Sequence, residues 1–548
     1  MPVVSLTFDR LKKFIPSASL DDVIEMLPYA ALDIEGIEDR VIRVEYNPNR
    51  PDFSSDYGII RALRGLLEIE LGTPKFKSAG KSGLSVLVQK QVGPIRPYLL
   101  ALVARDGALD NETIKQLVAM QEDLHNGVGR RRRKVSIGLH NLDSIRFPVT
   151  YKAVRGAYSF VPLGDSTSKS IRQILDQSET GKEYGSILEN FDKYPIIVDS
   201  AGQTLSLPPI INGQATRVDQ KTRNLFVEVT AIDKKAAENI LAIIAITLKD
   251  AGFKISTVSV RCGGKKIETP QMKSTDIVVD IGYINSVLDL KLDSKKIIKC
   301  LRKSRLDARA KGDKIICKIP PYRTDISHPI DIAEEVAIGY GIYNLDPTFP
   351  VAIGAGQKNL FSKYFVGIRE TLSGLGILES LSFSLTSSEA QYESFGRNSE
   401  QALSVDGSKS AEHRILRDSL IPSLLQSLSR NVHEEYPQKL FEIGKTFHKN
   451  KAIIERWHVG VVIAHGEAGY TEIKSSMQAL LSFCFGKDAK TAGNPSPFFI
   501  HGRSANIFVG DKVVGSIGEI LPLALENLKL RVPVAAFEIN LTELLGLE

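Results

Sequence analysis

The chain has 548 residues, 43% of them hydrophobic and 24% charged, with a formal net charge of +6. That length is too great for one core and calls for three or four domains, and the balance is that of a soluble globular chain rather than a disordered or fibrous one. No apolar run is long enough to span a bilayer, and four widely spaced cysteines without a C-x-x-C pair argue against zinc ribbons and a disulfide framework. The start, M-P-V-V-S-L-T-F-D-R, lacks the positive-then-apolar order of a secretion signal, so a cytoplasmic location is expected.

Taken in order, residues 1–80 predict helices at Phe8 to Phe14 and Leu20 to Met26, then a strand at Arg40 to Glu45. The strand runs into N-P-N-R-P-D-F (47–53), a rigid turn, and a helix at Ser55 to Leu67 with Ile59, Ile60, Leu63, Leu66 and Leu67 on its apolar face. Residues 85–265 alternate strands (Leu84 to Gln89, Leu99 to Ala104, Val135 to Leu139, Ile210 to Ile211, Leu225 to Val229) with helices at Asn111 to His125 and Lys234 to Ala251. That order predicts an α+β or α/β domain with a pocket at strand ends. Residues 268–348 read as a small helix-rich domain with a hairpin at Leu306 to Ile319. From 355 to 548 a helix at Phe361 to Leu375 and strands at Glu379 to Leu385, Gln438 to Thr446, His458 to Ala464, Ala505 to Val509, Lys512 to Glu519 and Ala535 to Asn540 predict an extended antiparallel sheet with flanking helices.

Charge is unevenly placed. Lys291 to Arg323 holds twelve Lys and Arg against three Asp, and Arg130-Arg131-Arg132-Arg133-Lys134 forms a second knot. Such clusters serve either as phosphate footprints or as solvated helix faces. Between Arg323 and Lys358 there is no Lys or Arg, and Asp325, Asp331, Glu334 and Glu335 fall there. His328-Pro329 reads as a helix start, which sets Asp331, Glu334 and Glu335 at i, i+3 and i+4 on one face. A hard divalent cation would neutralise them; first-turn acids favoured by the helix dipole are the alternative.

The run P-P-Y-R-T-D-I-S-H-P-I-D-I-A-E-E-V-A-I-G-Y-G (320–341) resembles the B5 domain of the phenylalanyl-tRNA synthetase β subunit. A second, independent match is E-Y-N-P-N-R-P-D-F-S-S-D-Y-G-I-I-R-A-L-R-G (45–65), which resembles the end of that family's N-terminal domain. R-R-R-R-K-V-S-I-G-L-H-N-L-D (130–143), L-P-P-I-I-N-G (207–213) and L-F-V-E-V-T-A-I-D (225–233) look like its B3/4 or editing domain. R-D-S-L-I-P-S-L-L-Q-S-L-S-R-N (417–431), L-F-E-I-G-K (440–445), H-G-R-S-A (501–505) and G-S-I-G-E-I-L-P (515–522) resemble its B6/7 domain.

The resemblance implies an α+β multidomain chain: a mixed N-terminal domain (1–80), an editing domain (85–265), a B5 domain (268–348) and a class II synthetase-like antiparallel domain (355–548). The last lacks the catalytic motifs, since A-A-F-E-I-N-L-T-E-L-L-G (535–546), where the third motif's arginine is expected, contains none. It further implies an α subunit that activates phenylalanine, an α₂β₂ assembly of the archaeal or eukaryotic type, and tRNA(Phe), ATP and Mg²⁺ as ligands. Asp325, Asp331, Glu334 and Glu335 become candidate magnesium ligands, and Leu207, Asn212, Glu228 and Thr230 the candidate pocket for hydrolysis of mischarged tyrosyl-tRNA. Glu228 and Thr230 alternate along one strand and so share a face. The family often has Asp at the position of Glu228, Ser at that of Gly213, and H-D-L-D where this chain reads His140-Asn141-Leu142-Asp143. A free-standing RNA-binding hydrolase and a scaffold with a decayed pocket remain as alternatives.

Overall fold

The structure, a computed structural model, describes residues 2–350, 354–408 and 410–546. It divides into two compact units, Met1–Phe349 and Pro350–Glu548. Among the described residues no helix is long and apolar enough to cross a membrane.

The first unit opens on a three-stranded antiparallel sheet in which Val41–Tyr46 lies between Val3–Thr7 and Leu32–Glu38. The sequence reading found only the central strand; its neighbours are short and half exposed, which hides their alternation. Both helices have the expected bounds, Phe8–Phe14 and Leu20–Met26, because Thr7 and Ser19 cap them, the latter in a capping box with Asp22. They pack Leu11 and Val23 onto Leu6, Ile42 and Val44, with Ile59 and Leu63 of the Asp56–Leu66 helix.

Beyond it lies a ten-stranded mixed sheet. Leu225–Ala231 is buried along its whole length and pairs antiparallel with Tyr98–Arg105 on one side and Val135–Asn141 on the other. The Lys234–Asp250 helix, capped by Asp233, lays Ile240, Leu241, Ile244 and Leu248 on one face of these strands. Sequence reading missed Val149–Val154, Tyr194–Val198, Thr204–Leu207 and Lys254–Cys262, and set the Ile211–Asn212 strand one residue early.

The small domain is richer in helix than in strand, as expected, and its hairpin gains a third strand. The hairpin Asp307–Lys311 and Lys314–Ile319 is joined by Thr275–Asp280, against the helices Ile281–Leu288, Ser294–Lys303 and Pro329–Tyr340. The last two helices touch at Gly339, where a Cβ would fall 2.1 Å from the Cys300 carbonyl oxygen, so only glycine permits the approach.

The second unit is a seven-stranded sheet, antiparallel except where Leu378–Glu379 runs parallel to Gln438–Lys449. The helices Leu360–Gly374 and Tyr470–Phe485 cover one face through Ile368, Leu372, Ile473 and Met477, and Ile421–Arg430 covers the other through Leu424, Leu425 and Leu428. The single strand expected at Glu379 to Leu385 is instead two two-residue strands, Leu378–Glu379 and Leu385–Thr386, in different sheets.

Candidate functional site

A cavity of about 590 Å³ opens at the Val135–Asn141 edge of the large sheet, against the segment 205–218. Leu207, Asn212 and Glu228 line it together, with Ser136, Ser206 and Gly213. Leu207 is fully buried, and Asn212 Nδ2 donates to the Leu139 carbonyl (3.4 Å), tying the segment to the edge strand.

Glu228 is 1% exposed in the middle of its strand and lies in register with Gly138. Ser206 Oγ donates to its Oε1 (3.1 Å), while Oε2 has no partner. Buried His140 faces it, Nε2 standing 4.0 Å from Oε1, also without a partner. Its Nδ1 meets Thr216 Oγ1 at 2.8 Å. That hydroxyl also lies 3.4 Å from the Gly213 carbonyl oxygen. Gly138 keeps the gap open: a Cβ there would fall 2.4 Å from Glu228 Oε1 and 2.7 Å from His140 Nε2. The unpartnered Glu228 oxygen makes a site for a hydrogen-bond donor.

Thr230 shares the Glu228 face but does not line the cavity. Its Oγ1 accepts from Arg96 Nε (2.9 Å) and its carbonyl from Arg96 Nη2 (2.9 Å). Arg96, 2% exposed, also donates to the carbonyls of Arg133 (3.1 Å) and Arg132 (3.2 Å). Burial draws its pKa down to about 10, with Tyr151 and Glu228 opposing. The carbonyls it holds belong to a turn in which Arg130, Arg131 and Arg132 have φ of 49°, 52° and 62°. Each such residue costs about 1–2 kcal/mol in left-handed backbone, which tertiary bonds must offset. Arg132 reaches back to the cavity: it donates to the Ile210 carbonyl (3.0 Å), pairs with Glu122 (2.9 Å) and stacks on Tyr184. Nearby His125 accepts from the Ile137 N–H (2.8 Å), and burial holds its pKa below the usual value. Sequence reasoning missed Ser206, Arg96 and Glu122. The signal for Arg96 was an arginine set between two prolines, G-P-I-R-P-Y, in a segment otherwise short of charge.

Gly213 also lines the cavity. A Cβ there would fall 2.3 Å from the Thr204 carbonyl oxygen, so this backbone has no room for the serine common at that position. Asn141 accepts from the Asp143 N–H, and Asp143 in turn accepts from Asn224 Nδ2 (2.9 Å), so the H-N-L-D run shapes a turn at the strand end.

Two of the four acids of the small domain, Asp325 and Glu335, share one neighbour, Arg323. Its Nη2 meets Asp325 Oδ2 at 2.6 Å and also pairs with Glu335, so burial of this arginine is outweighed and its pKa lies well above normal. Glu335 is buried, whereas Glu334 is exposed, which separates two acids that the helical spacing had set on one face. Asp331 Oδ2 accepts from the Ser327 and His328 N–H groups (2.7 Å each), capping the Pro329–Tyr340 helix. Glu334 is pushed up by partial burial and then by the charges of Glu335, Asp325 and Asp331. Among the described residues no three His, Cys, Asp or Glu are arranged to hold a metal ion. Free oxygens remain on Asp331 and Glu334, and two carboxylates are what Mg²⁺ ordinarily takes, the rest being water and groups from outside.

Family models match three stretches: "B3/4 domain" over residues 86–244, "tRNA synthetase B5 domain" over 277–342 and "Phenylalanyl tRNA synthetase beta chain CLM domain" over 345–541. The phenylalanine–tRNA ligase β subunit of Archaeoglobus fulgidus is 39% identical over 545 residues, covering 99% of this chain and 98% of that one. That of Methanococcoides burtonii is 35% identical over 550 residues, covering 99% and 100%. The crystal structure of an N-terminal fragment of the phenylalanyl-tRNA synthetase β subunit from Pyrococcus horikoshii superposes with a TM-score of 0.60 at 32% identity, over 62% of this chain and 99% of the fragment. With near-full coverage at these identities, the chain belongs to the phenylalanine–tRNA ligase β-subunit family.

Proposed function

We propose that this chain supports ATP-dependent charging of tRNA(Phe) by a separate α subunit, in an α₂β₂ assembly, and hydrolyses mischarged tyrosyl-tRNA(Phe) in its own cavity. The observation that carries the hydrolytic reading is the Glu228 carboxyl, buried in the cavity wall with one oxygen unclaimed. A pocket that binds phenylalanine rejects tyrosine by only about a hundredfold, because an added hydroxyl costs little in an apolar site. A second pocket with a buried acceptor works in the opposite sense: tyrosine satisfies Glu228, whereas phenylalanine leaves it unpaired. Leu207 and Asn212 shape the wall beside it, and Thr230 acts from behind through Arg96. In the hydrolysis, water attacks the ester carbonyl and the tRNA 3′ oxygen leaves with a proton, releasing tyrosine.

The second unit is read as a class II synthetase-like domain without activation chemistry. Where an ATP-gripping arginine is expected, the Val534–Asn540 strand carries Glu538, bonded to Ser419 Oγ (2.5 Å), the Leu420 N–H (3.0 Å) and His458. Burial pushes the Glu538 pKa up, but these partners outweigh it and hold the carboxyl low. Nearby Arg417 is fixed on Glu442 at 2.6 Å. The acidic set Asp325, Asp331, Glu334 and Glu335 is proposed as the magnesium site. Asp331 and Glu334 offer the free oxygens, and an ion competes with Arg323 for the other two. Domain limits of 1–80, 85–265, 268–348 and 355–548 go with this reading.

The test is aminoacylation of tRNA(Phe) with each subunit alone and together, alongside deacylation of tyrosyl-tRNA(Phe) by this chain. Charging only with both subunits, and deacylation by this chain with or without α, supports the proposal. Charging by α alone sinks the first half, and absence of deacylation sinks the second in favour of a scaffold with a closed pocket.

A further inference from the structure

The arginine turn between the Asn111–Asn126 helix and the Val135–Asn141 strand has no role in the pocket chemistry beyond Arg132, yet its construction is costly. Three consecutive residues hold positive φ, a region that favours glycine and asparagine, and all three are arginines. If the backbone shape alone mattered, smaller residues would serve. The turn is fastened from beneath by Arg96 and by bonds from the Arg132 N–H to the His125 carbonyl (3.1 Å) and from the Lys134 N–H to the Gly129 carbonyl (2.8 Å). Arg130, Arg131 and Arg133 are left exposed, while Arg132 points back into the cavity wall. Arg131 has only an exposed contact with Glu183 (3.4 Å), and among the described residues Arg130 and Arg133 pair with no carboxylate. Exposed Arg217 lines the same cavity and likewise has no acidic partner. Arg132 and Arg217 thus line the cavity itself, and the turn that carries Arg132 exposes three further guanidinium groups, with Glu122 and Glu183 as the acids paired to it.

We propose that this turn grips the phosphates of the single-stranded acceptor end of an RNA while its aminoacylated 3′ terminus occupies the cavity. The idea rests on the hydrolytic reading above. Guanidinium groups suit phosphate because their planar donors meet two oxygens at once. A turn pinned by a buried arginine presents them in fixed positions, so little ordering is left to lose on binding. The contacts are to the backbone of the RNA and carry no sequence preference, so they raise affinity for any acceptor end while the pocket selects the amino acid.

The experiment uses the full-length chain, alone and with its α partner, and compares wild type with R130Q/R133Q and R130K/R133K. Glutamine is no worse than arginine at positive φ, and thermal unfolding checks that both variants fold. Two esters are hydrolysed, tyrosyl-tRNA(Phe) and 3′-O-tyrosyl-adenosine, which has no phosphate, and binding of uncharged tRNA(Phe) is followed against salt. For R130Q/R133Q we expect KM for tyrosyl-tRNA to rise by about tenfold and the slope of log K against log salt to fall by about 1.4, two phosphates at about 0.7 each. Hydrolysis of the nucleoside ester should stay within twofold of wild type, and the lysine pair should recover most of the slope. An unchanged salt slope in R130Q/R133Q, with the fold intact, overturns the proposal. If wild type hydrolyses neither ester, the hydrolytic reading fails by itself, and the salt slope still decides whether the turn binds RNA.

Discussion

Replacing Glu228 with methionine separates a functional carboxyl from a structural one. Methionine fills nearly the same volume and removes the polar atoms. In wild type, Oε1 has one donor, Ser206, and Oε2 has none, at 1% exposure. Leaving a buried polar oxygen unpaired costs about 1–3 kcal/mol, and the substitution removes that penalty. It also strips Ser206 of its acceptor, which costs about 1 kcal/mol. Stability should therefore be unchanged or higher by up to about 2 kcal/mol, read from denaturant midpoints at constant m-value. Activity should move the other way. A hydrogen bond from the substrate hydroxyl to a carboxylate is worth about 1.5–3 kcal/mol, so kcat/KM for tyrosyl-tRNA should fall about 10- to 150-fold. Hydrolysis of phenylalanyl-tRNA should not fall. If E228M unfolds more easily by 2 kcal/mol or more, or slows both esters equally, Glu228 is a structural residue and the selection argument is wrong.

Three further outcomes follow from the geometry. Gly213→Ser places a Cβ 2.3 Å from the Thr204 carbonyl oxygen and strains the 2.6 Å bond from the Gly213 N–H to Leu205. Calorimetry should show a loss of about 1–3 kcal/mol, and a variant as stable as wild type would mean that the segment moves freely. His125 has a folded-state pKa depressed below 6.5 by burial, so its contribution is present above pH 6.5 and is lost as pH falls through the folded value. Stability should fall by up to about 1.4 kcal/mol per pH unit just below 6.5, and His125→Gln should flatten that limb. For the acidic set, Mg²⁺ at tenfold over its Kd should stabilise wild type by about 1.4 kcal/mol; an equal response from Glu334→Ala would remove that residue from the site.

Several helices were legible in the sequence from a polar cap ahead of an apolar period, although Ile171–Gln177, capped by Ser170, was missed. Thr7, Ser19, Asp110 and Asp233 mark the starts of four of them within a residue. Strands were legible when apolar throughout, as at Leu225–Ala231, or clearly alternating, as at Val41–Tyr46. Thr204–Leu207 was missed because alternating Thr204 and Ser206 read as surface, although all four residues are buried. Of the pocket residues, Leu207, Asn212 and Glu228 do converge, but period-two spacing could place Thr230 only on the right face. What covers it, Arg96, comes from a segment 134 residues away. The acidic set was read as self-repelling because its stretch begins just after Arg323, and the guanidinium that two of the acids share was left outside the count.

One strand joins the two halves of the proposed site. Glu228 and Thr230 stand two residues apart in Leu225–Ala231, Glu228 facing the cavity and Thr230 holding Arg96, which holds the carbonyls of Arg132 and Arg133. Arg96 thus links the pocket strand to the arginine turn through two sets of hydrogen bonds, in a sheet whose flanking strands fix its register at seven residues on each side. A buried guanidinium bonded only to neutral oxygens is poorly compensated, and a drop of its pKa to about 10 expresses the same cost. If Arg96 served only packing, methionine would replace it at little cost to the turn. If it fixes the turn relative to the pocket, Arg96→Met should leave nucleoside-ester hydrolysis largely intact, while KM for tyrosyl-tRNA rises as steeply as in R130Q/R133Q, because the outer arginines keep their charge and lose their positions.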